Sequence, residues 1–248
     1  MANTALAVAE AALRSRKLDR TLTTHLAPLT SADPSAITTD IAALDACVRG
    51  GLPRGQLSEL AGPRSSGRTS VLLQTLAAAT HRGEIAAIVD TFDALDLASL
   101  VDAGVDLDRL LWIRGHDISP GIRPGALIDR VVERALKACS LVLQAGGFGV
   151  VALDFGDVSM PTLQRLPYTT WLRVQRMIEG SDTACLLIVP QPLARSAGGL
   201  TLSLTAQSTW MGDADRSRRL TGLEVDVRVL SPRRQIQTDV HVRCALRG

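Results

Sequence analysis

The 248-residue chain is poor in aromatic residues, with three Trp, three Phe and one Tyr. Its core therefore has to be filled by Ala, Val and Leu, as is common between the strands and helices of a parallel sheet. Hydrophobic residues make up 46% of the chain, enough for a sizeable core and too many for a disordered protein. The formal net charge of +2 does not by itself indicate a nucleic-acid-binding protein.

Cysteine and long apolar runs are also scarce. Cys47, Cys139, Cys185 and Cys244 form no C-x-x-C pair, which excludes a zinc site of the usual spacing, and we expect them to fill core space. No run approaches 18 apolar residues, so we expect no membrane-spanning helix. Residues 1–20 carry their basic residues after the apolar stretch, the reverse of a signal peptide. These absences predict a cytoplasmic protein with no membrane partner.

The hydrophobic pattern divides the chain in two. Residues 1–36 are predicted to hold an amphipathic helix, at about residues 4–20, and a linker that contains Pro28 and Pro34. Because so short a helix is marginal in water, we expect it to act as an association arm, for self-association or for binding another protein. The alternative is that it docks on its own core, which is predicted to span residues 37–248.

Short apolar runs alternate with helical periods in this core. The predicted strands are residues 56–60, 85–90, 110–113, 148–154 and 184–189, and the predicted helices are residues 69–80, 94–101, 124–144 and 163–178. This order is typical of an α/β fold with a mostly parallel sheet flanked by helices. Apolar and polar residues then alternate over residues 223–229 and 236–242, which predicts a C-terminal antiparallel hairpin.

A phosphate-binding loop is the clearest motif. Residues 62–69 read G-P-R-S-S-G-R-T and match G-x-x-x-x-G-K-[ST] except for the arginine in place of lysine. In such loops backbone N–H groups cradle phosphate oxygens at a helix N-terminus, and the Thr hydroxyl holds Mg²⁺. The candidate nucleotide-binding residues are Gly62, Ser65, Ser66, Gly67, Arg68 and Thr69. The alternative is a strand–turn–helix junction that needs glycine only for its backbone angles.

Asp154 is the second candidate in this site. It ends an apolar strand, which is the pattern that supplies a further Mg²⁺ contact in phosphate-loop folds. Thr69 and Asp154 are therefore the candidate metal ligands if a nucleotide binds. Arg68 keeps the charge of the usual lysine but spreads it over a larger planar group, so the exchange is not conservative. The sequence leaves open whether the cofactor is ATP with Mg²⁺ or whether there is none.

Residues 44–114 resemble RecA. The shared stretches are residues 44–45, 50–55, 59, 62–67, 89–96 and 104–111, which follow the RecA order without a gap. The resemblance implies a RecA-like core, with Asp96 near the adenine amino group. It also places Gln191 where RecA couples the nucleotide to its second DNA-binding loop.

Several positions of this sequence differ from the RecA pattern. Phe92 stands where RecA has the glutamate that activates water, Ser99 where RecA stacks adenine on a tyrosine, and the regions at residues 155–166 and 192–199 are short. Asp93 is adjacent to Phe92, but a shift of one residue points a side chain elsewhere. With Arg68, these departures resemble the ImuA family of bacterial mutagenesis cassettes.

The ImuA resemblance implies a degenerate ATPase, with no catalytic residue, in the SOS response, DNA repair and translesion synthesis. Its implied partners are RecA, a Y-family polymerase-like protein and an error-prone polymerase. The alternative is an active DNA-dependent ATPase of the RecA/RadA class in recombinational repair, with Arg68 acting as the lysine and Asp93 as the base. A third interpretation is an ATP-binding regulator of another pathway.

The C-terminal region is rich in arginine. We expect these side chains to contact DNA or an acidic partner surface, and the alternative is an ordinary charged surface. The candidate residues are Arg195, Arg216, Arg218, Arg219, Arg233 and Arg234.

Overall fold

The computed structural model describes residues 36–115, 124–194, 198–212, 218–231 and 239–245. Within these ranges the strands are β1 (Ala36–Ile37), β2 (Leu52–Pro53), β3 (Leu57–Ala61), β4 (Ile85–Asp90), β5 (Leu110–Arg114), β6 (Phe148–Asp154), β7 (Ala184–Val189), β8 (Thr201–Met211), β9 (Arg219–Ser231) and β10 (Asp239–Ala245). The α-helices are α1 (Ala42–Cys47), α2 (Arg68–His81), α3 (Leu97–Asp102), α4 (Pro124–Ala145), α5 (Met160–Gln164) and α6 (Thr169–Ile178), and a 3₁₀ helix spans Leu107–Arg109.

The large sheet has the strand order β10-β9-β8-β3-β7-β6-β4-β5. The strands from β8 to β5 in this order run parallel to one another, whereas β9 and β10 are antiparallel to their neighbours. Strands β1 and β2 form a small separate antiparallel sheet. This architecture confirms the predicted α/β fold with helices around a mostly parallel sheet and a C-terminal antiparallel hairpin.

Both faces of the sheet are buried by helices. In β4, Ala86 and Ile88 belong to one apolar cluster, together with Leu72 and Leu76 of α2. The alternate residues Ala87 and Val89 belong to the other cluster, which includes side chains of α4 and α6. A strand covered on both faces has no solvated side, which explains why its sequence is a continuous apolar run.

Two cysteines fill space in the core, as the sequence analysis predicts. Cys139 of α4 and Cys185 of β7 are buried and form no disulfide, and a hydrogen bond with Cys139, together with burial, raises the pKa of the Cys185 thiol. Among the described residues, Ala, Val and Leu make up most of the two buried clusters, and Phe155 and Trp171 are the buried aromatic side chains. Cysteine thus acts here as a small apolar residue.

Several elements differ from the sequence prediction. The helix predicted at residues 163–178 is two helices, α5 and α6, with Pro167 between them, since proline lacks the N–H that a continuous helix needs. Helix α3 begins at Leu97 rather than at residue 94 because Asp96 caps it. Strand β10 is described from Asp239 onward, and the start of the strand predicted at residues 236–242 lies outside the described residues, as does the helix predicted near residues 4–20.

Strand β8 was not predicted at all. Its first residues are mostly buried and its last ones exposed, so no single alternation of apolar and polar residues runs through it. It pairs in parallel with β3 and antiparallel with β9, and so joins the parallel sheet to the hairpin. None of the helices in the described ranges combines the length and apolar composition needed to cross a membrane.

Candidate functional site

The candidate site lies at the carboxyl edge of the parallel strands. The loop after β3, the end of β4 and the end of β6 meet there around a cleft of about 150 Å³. Parallel strands all end at the same edge, so residues distant in sequence come together. The residues that line the cleft are Arg68, Thr69, Asp90, Phe92, Ala94, Leu95, Asp154, Gly156, Asp157 and Ile188.

Both loop glycines are required by packing. Gly67 has φ +87 and is the N-cap residue of α2, and a Cβ there would lie 2.6 Å from Cγ2 of Val225. A Cβ on Gly62 would lie 2.4 Å from the carbonyl oxygen of Leu204. Strands β8 and β9 therefore press against the loop, and these glycines are needed whether or not a phosphate binds.

The two serines of the loop differ in exposure. Ser65 is exposed and has φ +60, a left-handed conformation that costs a serine energy. Ser66 is only 2% exposed, and its Oγ has no hydrogen-bond partner among the described residues.

Arg68 turns its side chain into the protein. The residue is 7% exposed, and its Nη1 donates a hydrogen bond to the carbonyl oxygen of Gly156 at 3.2 Å. Burial lowers the pKa of Arg68, and the negative charge of Asp154 opposes that shift. The guanidinium thus lies beside the carboxylate predicted to hold a metal.

Asp154 is partly buried at the end of β6. Its Oδ1 accepts a hydrogen bond from the backbone N–H of Gly156 at 2.7 Å. Burial raises the pKa of Asp154 to about 6; the charge of Asp90 adds to this rise, whereas the Gly156 N–H and the charge of Arg68 oppose it. Thr69, exposed in the first turn of α2, lines the same cleft as Asp154.

Phe92 and Asp93 occupy different surroundings. The ring of Phe92 lines the cleft and packs against the core on the α4 side. Asp93 has φ +55, and its carboxylate accepts two hydrogen bonds from Arg114, of 2.6 and 2.9 Å. Arg114 in turn stacks on Trp112, with its Cζ 4.8 Å from the ring centroid. Asp93 is not among the residues that line the cleft.

Asp90 and Asp157 are cleft residues that the sequence analysis did not select. Asp90 accepts hydrogen bonds from the N–H groups of Ala94 and Leu95 and from Nε1 of Trp112. Asp157 forms a two-bond ion pair with Arg64. Asp90 ends a buried strand, as Asp154 does. The same sequence pattern could therefore have identified Asp90 as a residue of the site.

Asp96 and Gln191 do not line this cleft. Asp96 is exposed, and its Oδ2 accepts hydrogen bonds from the backbone N–H and the Oγ of Ser99. These bonds lower the pKa of Asp96 and cap α3. Gln191 is exposed just after β7. The structure thus gives Asp96 a helix-capping role.

Two of the candidate arginines lie at the end of the β8–β9 hairpin. Arg218 and Arg219 are exposed there, beside Met211 and Trp210, and the indole of Trp210 is 51% exposed. Nε1 of Trp210 donates to Ser208 Oγ at 2.9 Å, which leaves the ring accessible. Arg195, Arg216, Arg233 and Arg234 lie outside the described residues.

The fold and the loop together define a phosphate-loop α/β protein with a RecA-like core. Residues 8–154, more than half of the chain, match the RecA N-terminal domain. The chain therefore belongs to the RecA family.

Several curated relatives share the name Protein RecA. The protein of Heliobacterium modesticaldum is 31% identical over 153 residues, which cover 56% of this chain and 40% of the relative. That of Chlorobium chlorochromatii is 36% identical over 161 residues, covering 62% and 44%. That of Nitratiruptor sp. is 27% identical over 197 residues, covering 77% and 54%. The chain spans about half the length of these relatives.

Proposed function

We propose that this RecA-family chain is an ImuA-type accessory protein of DNA-damage-induced mutagenesis and translesion synthesis. In this role it acts in the cytoplasm through contacts with RecA, a Y-family polymerase-like protein and an error-prone polymerase, and it does not turn over ATP. The observation that carries the proposal is Phe92, whose ring lines the cleft at the position of RecA's water-activating glutamate. A phenyl ring neither accepts a proton nor orients a water molecule.

Two neighbouring features support the loss of turnover. Asp93, the nearest carboxylate in sequence, is held by Arg114 and does not line the cleft. Ser99, at the position of the adenine-stacking tyrosine, offers only a hydroxyl, and that hydroxyl donates to Asp96. Several positions around the expected nucleotide differ from RecA together. We therefore infer that selection for ATP hydrolysis is relaxed.

The proposal also assigns a role to residues 1–20. The amphipathic pattern of this segment fits association with a second copy or with RecA. Deleting residues 1–20 should then weaken self-association or RecA binding, as measured by sedimentation and by binding to immobilised RecA. Unchanged binding in both assays would favour docking of the segment on its own core.

The second candidate is an active DNA-dependent ATPase of the RecA/RadA class. It is favoured by one observation: Thr69 and Asp154, the two expected magnesium ligands, line the same cleft as Arg68 of the phosphate loop. In that case Arg68 acts as the loop lysine and DNA is a ligand. The two candidates differ in a measurable way, because only the second requires phosphate release.

Phosphate release from ATP separates the two candidates. The purified chain is assayed with and without single-stranded DNA, and Thr69→Ala serves as the control for turnover that depends on the loop. The proposal expects no release above that of Thr69→Ala. Release at a RecA-like rate that Thr69→Ala abolishes would establish the ATPase instead. Capture of RecA and the two polymerase-type proteins by the tagged chain from DNA-damaged cells tests the partner assignment.

A further inference from the structure

The charged groups that line the cleft are satisfied within the protein. Asp90 accepts from two backbone N–H groups and from Trp112, and Asp157 is paired with Arg64. Asp154 accepts from the Gly156 N–H, and Arg68 donates to the Gly156 carbonyl oxygen. Each of the four charged side chains that line the cleft therefore has at least one hydrogen-bond partner within the protein.

Gly156 brings Arg68 and Asp154 together. A Cβ on Gly156 would lie 2.9 Å from Oδ1 of Asp154, 3.2 Å from Nη1 of Arg68 and 3.3 Å from its Cζ. The guanidinium and the carboxylate therefore both lie close to the same glycine, and a Cβ there would push the ends of these two side chains aside. Arg68 and Asp154 both line the cleft between the phosphate loop and the end of β6.

The guanidinium of Arg68 disfavours a magnesium ion at Asp154. A magnesium ion held by Thr69 and Asp154 would have to share Asp154 with a buried guanidinium, and the two positive charges repel each other. A lysine ammonium is a compact charge with three rotatable donors on a flexible stem and can extend toward phosphates. The guanidinium of Arg68 is mostly buried and donates a hydrogen bond to the Gly156 carbonyl oxygen, which ties it to the loop after β6.

We propose that Arg68 is an intramolecular substitute for the magnesium-bound nucleotide, and that it keeps the loop folded while excluding that ligand. This inference rests on the proposed function, since it explains how a RecA-family core works without ATP. Arg68 supplies the positive charge that Asp154 otherwise receives from magnesium. The excluded ligand is a nucleoside triphosphate with its divalent cation.

Nucleotide binding by Arg68→Lys tests the inference. Equilibrium dialysis with labelled ATP and the melting temperature are measured with Mg²⁺ and with EDTA. Wild type should show no binding up to the highest ATP concentration used and no shift, whereas Arg68→Lys should bind ATP with Mg²⁺ with a Kd at least about tenfold below that concentration. The matched control is Arg165→Lys, which conserves an exposed ion pair with Asp129 and should behave as wild type. Equal binding by wild type and Arg68→Lys, or no binding by either, overturns the inference.

Arg68→Gln gives a second, independent readout. It removes the charge beside Asp154, so Mg²⁺ alone should raise the melting temperature of this variant and leave that of wild type unchanged. If Mg²⁺ affects neither protein, Arg68 is not the substitute for the metal. These experiments measure ligand binding only. The proposed function is tested separately, by partner capture and by phosphate release, so the two can fail independently.

Discussion

The carboxylate of Asp93 and the guanidinium of Arg114 form two hydrogen bonds, of 2.6 and 2.9 Å, beside the ends of strands β4 and β5. The pair engages the carboxylate adjacent to Phe92, and neither Asp93 nor Arg114 lines the cleft. Two side chains of opposite charge are thereby used on each other. In the proposed function, the absence of ATP turnover depends on the ring of Phe92.

Releasing Asp93 should not create an ATPase. Arg114→Ala removes both hydrogen bonds, but the left-handed backbone of Asp93, with φ +55, still directs its side chain. Phosphate release from ATP should therefore remain at the wild-type level. In contrast, Phe92→Glu in the Arg68→Lys background should raise phosphate release about 10²-fold or more over Arg68→Lys alone, because it restores a general base. Turnover by Arg114→Ala alone would contradict this account.

Asp154 should make stability depend on pH. Its pKa is about 6 in the folded protein against an ordinary 3.8, so the folded state holds this proton more tightly than the unfolded state between these values. Protonation therefore stabilises the fold, and this contribution is lost as the pH rises through 6. From pH 4 to pH 7, wild type should lose on the order of 2 kcal/mol relative to Asp154→Asn.

Urea unfolding of wild type and Asp154→Asn across that pH range measures the effect. Arg165→Lys is the matched control, because it conserves an exposed ion pair with Asp129 and Arg165 does not line the cleft. The stability difference between wild type and Arg165→Lys should stay constant over the same range. A constant difference between wild type and Asp154→Asn over the whole range would show that Asp154 does not titrate as described.

Gly67→Ala should destabilise the protein more than Gly83→Ala. Both glycines have positive φ, +87 and +83, so both substitutions carry the left-handed penalty of about 1–2 kcal/mol. A Cβ at Gly67 would also meet Val225 at 2.6 Å, whereas nothing lies within 4 Å of a Cβ at Gly83. Overpacking should add about 1–3 kcal/mol to the loss at Gly67, measured by urea unfolding.

Val225→Ala checks the source of that difference. In the Gly67→Ala background it should recover part of the lost stability, and the double-mutant cycle should show a coupling between the two positions. If the two substitutions are additive, the contact between the loop and β9 contributes nothing to the cost.

The hairpin arginines are predicted to give salt-sensitive binding to DNA or to an acidic partner. Changing Arg218 and Arg219 to Ala should weaken that binding and lower its salt slope by about one unit for each lost phosphate contact. The melting temperature should not change, because both side chains are exposed. Arg173→Ala with Arg176→Ala, exposed positions on α6, is the control. Unchanged affinity and slope would assign Arg218 and Arg219 to an ordinary charged surface.

The sequence alone determined the order of most strands and helices and the position of the phosphate loop. Those features depend on local patterns: apolar runs give β4, β6 and β7, glycines flank the loop, and alternation gives β9. It also identified Arg68, Phe92 and Asp154 as the residues to inspect. Strand β8 was not predicted because its pattern changes from buried to exposed along its length.

Only the tertiary structure decided what the charged residues do. Arg68 turns toward Gly156, Arg114 holds Asp93, and Val225 presses on Gly67. Each of these contacts joins residues from different strands or loops, and its geometry follows from strand order and register rather than from local spacing. A charged side chain also has several partners within reach, and the choice among them depends on burial, which the complete fold sets.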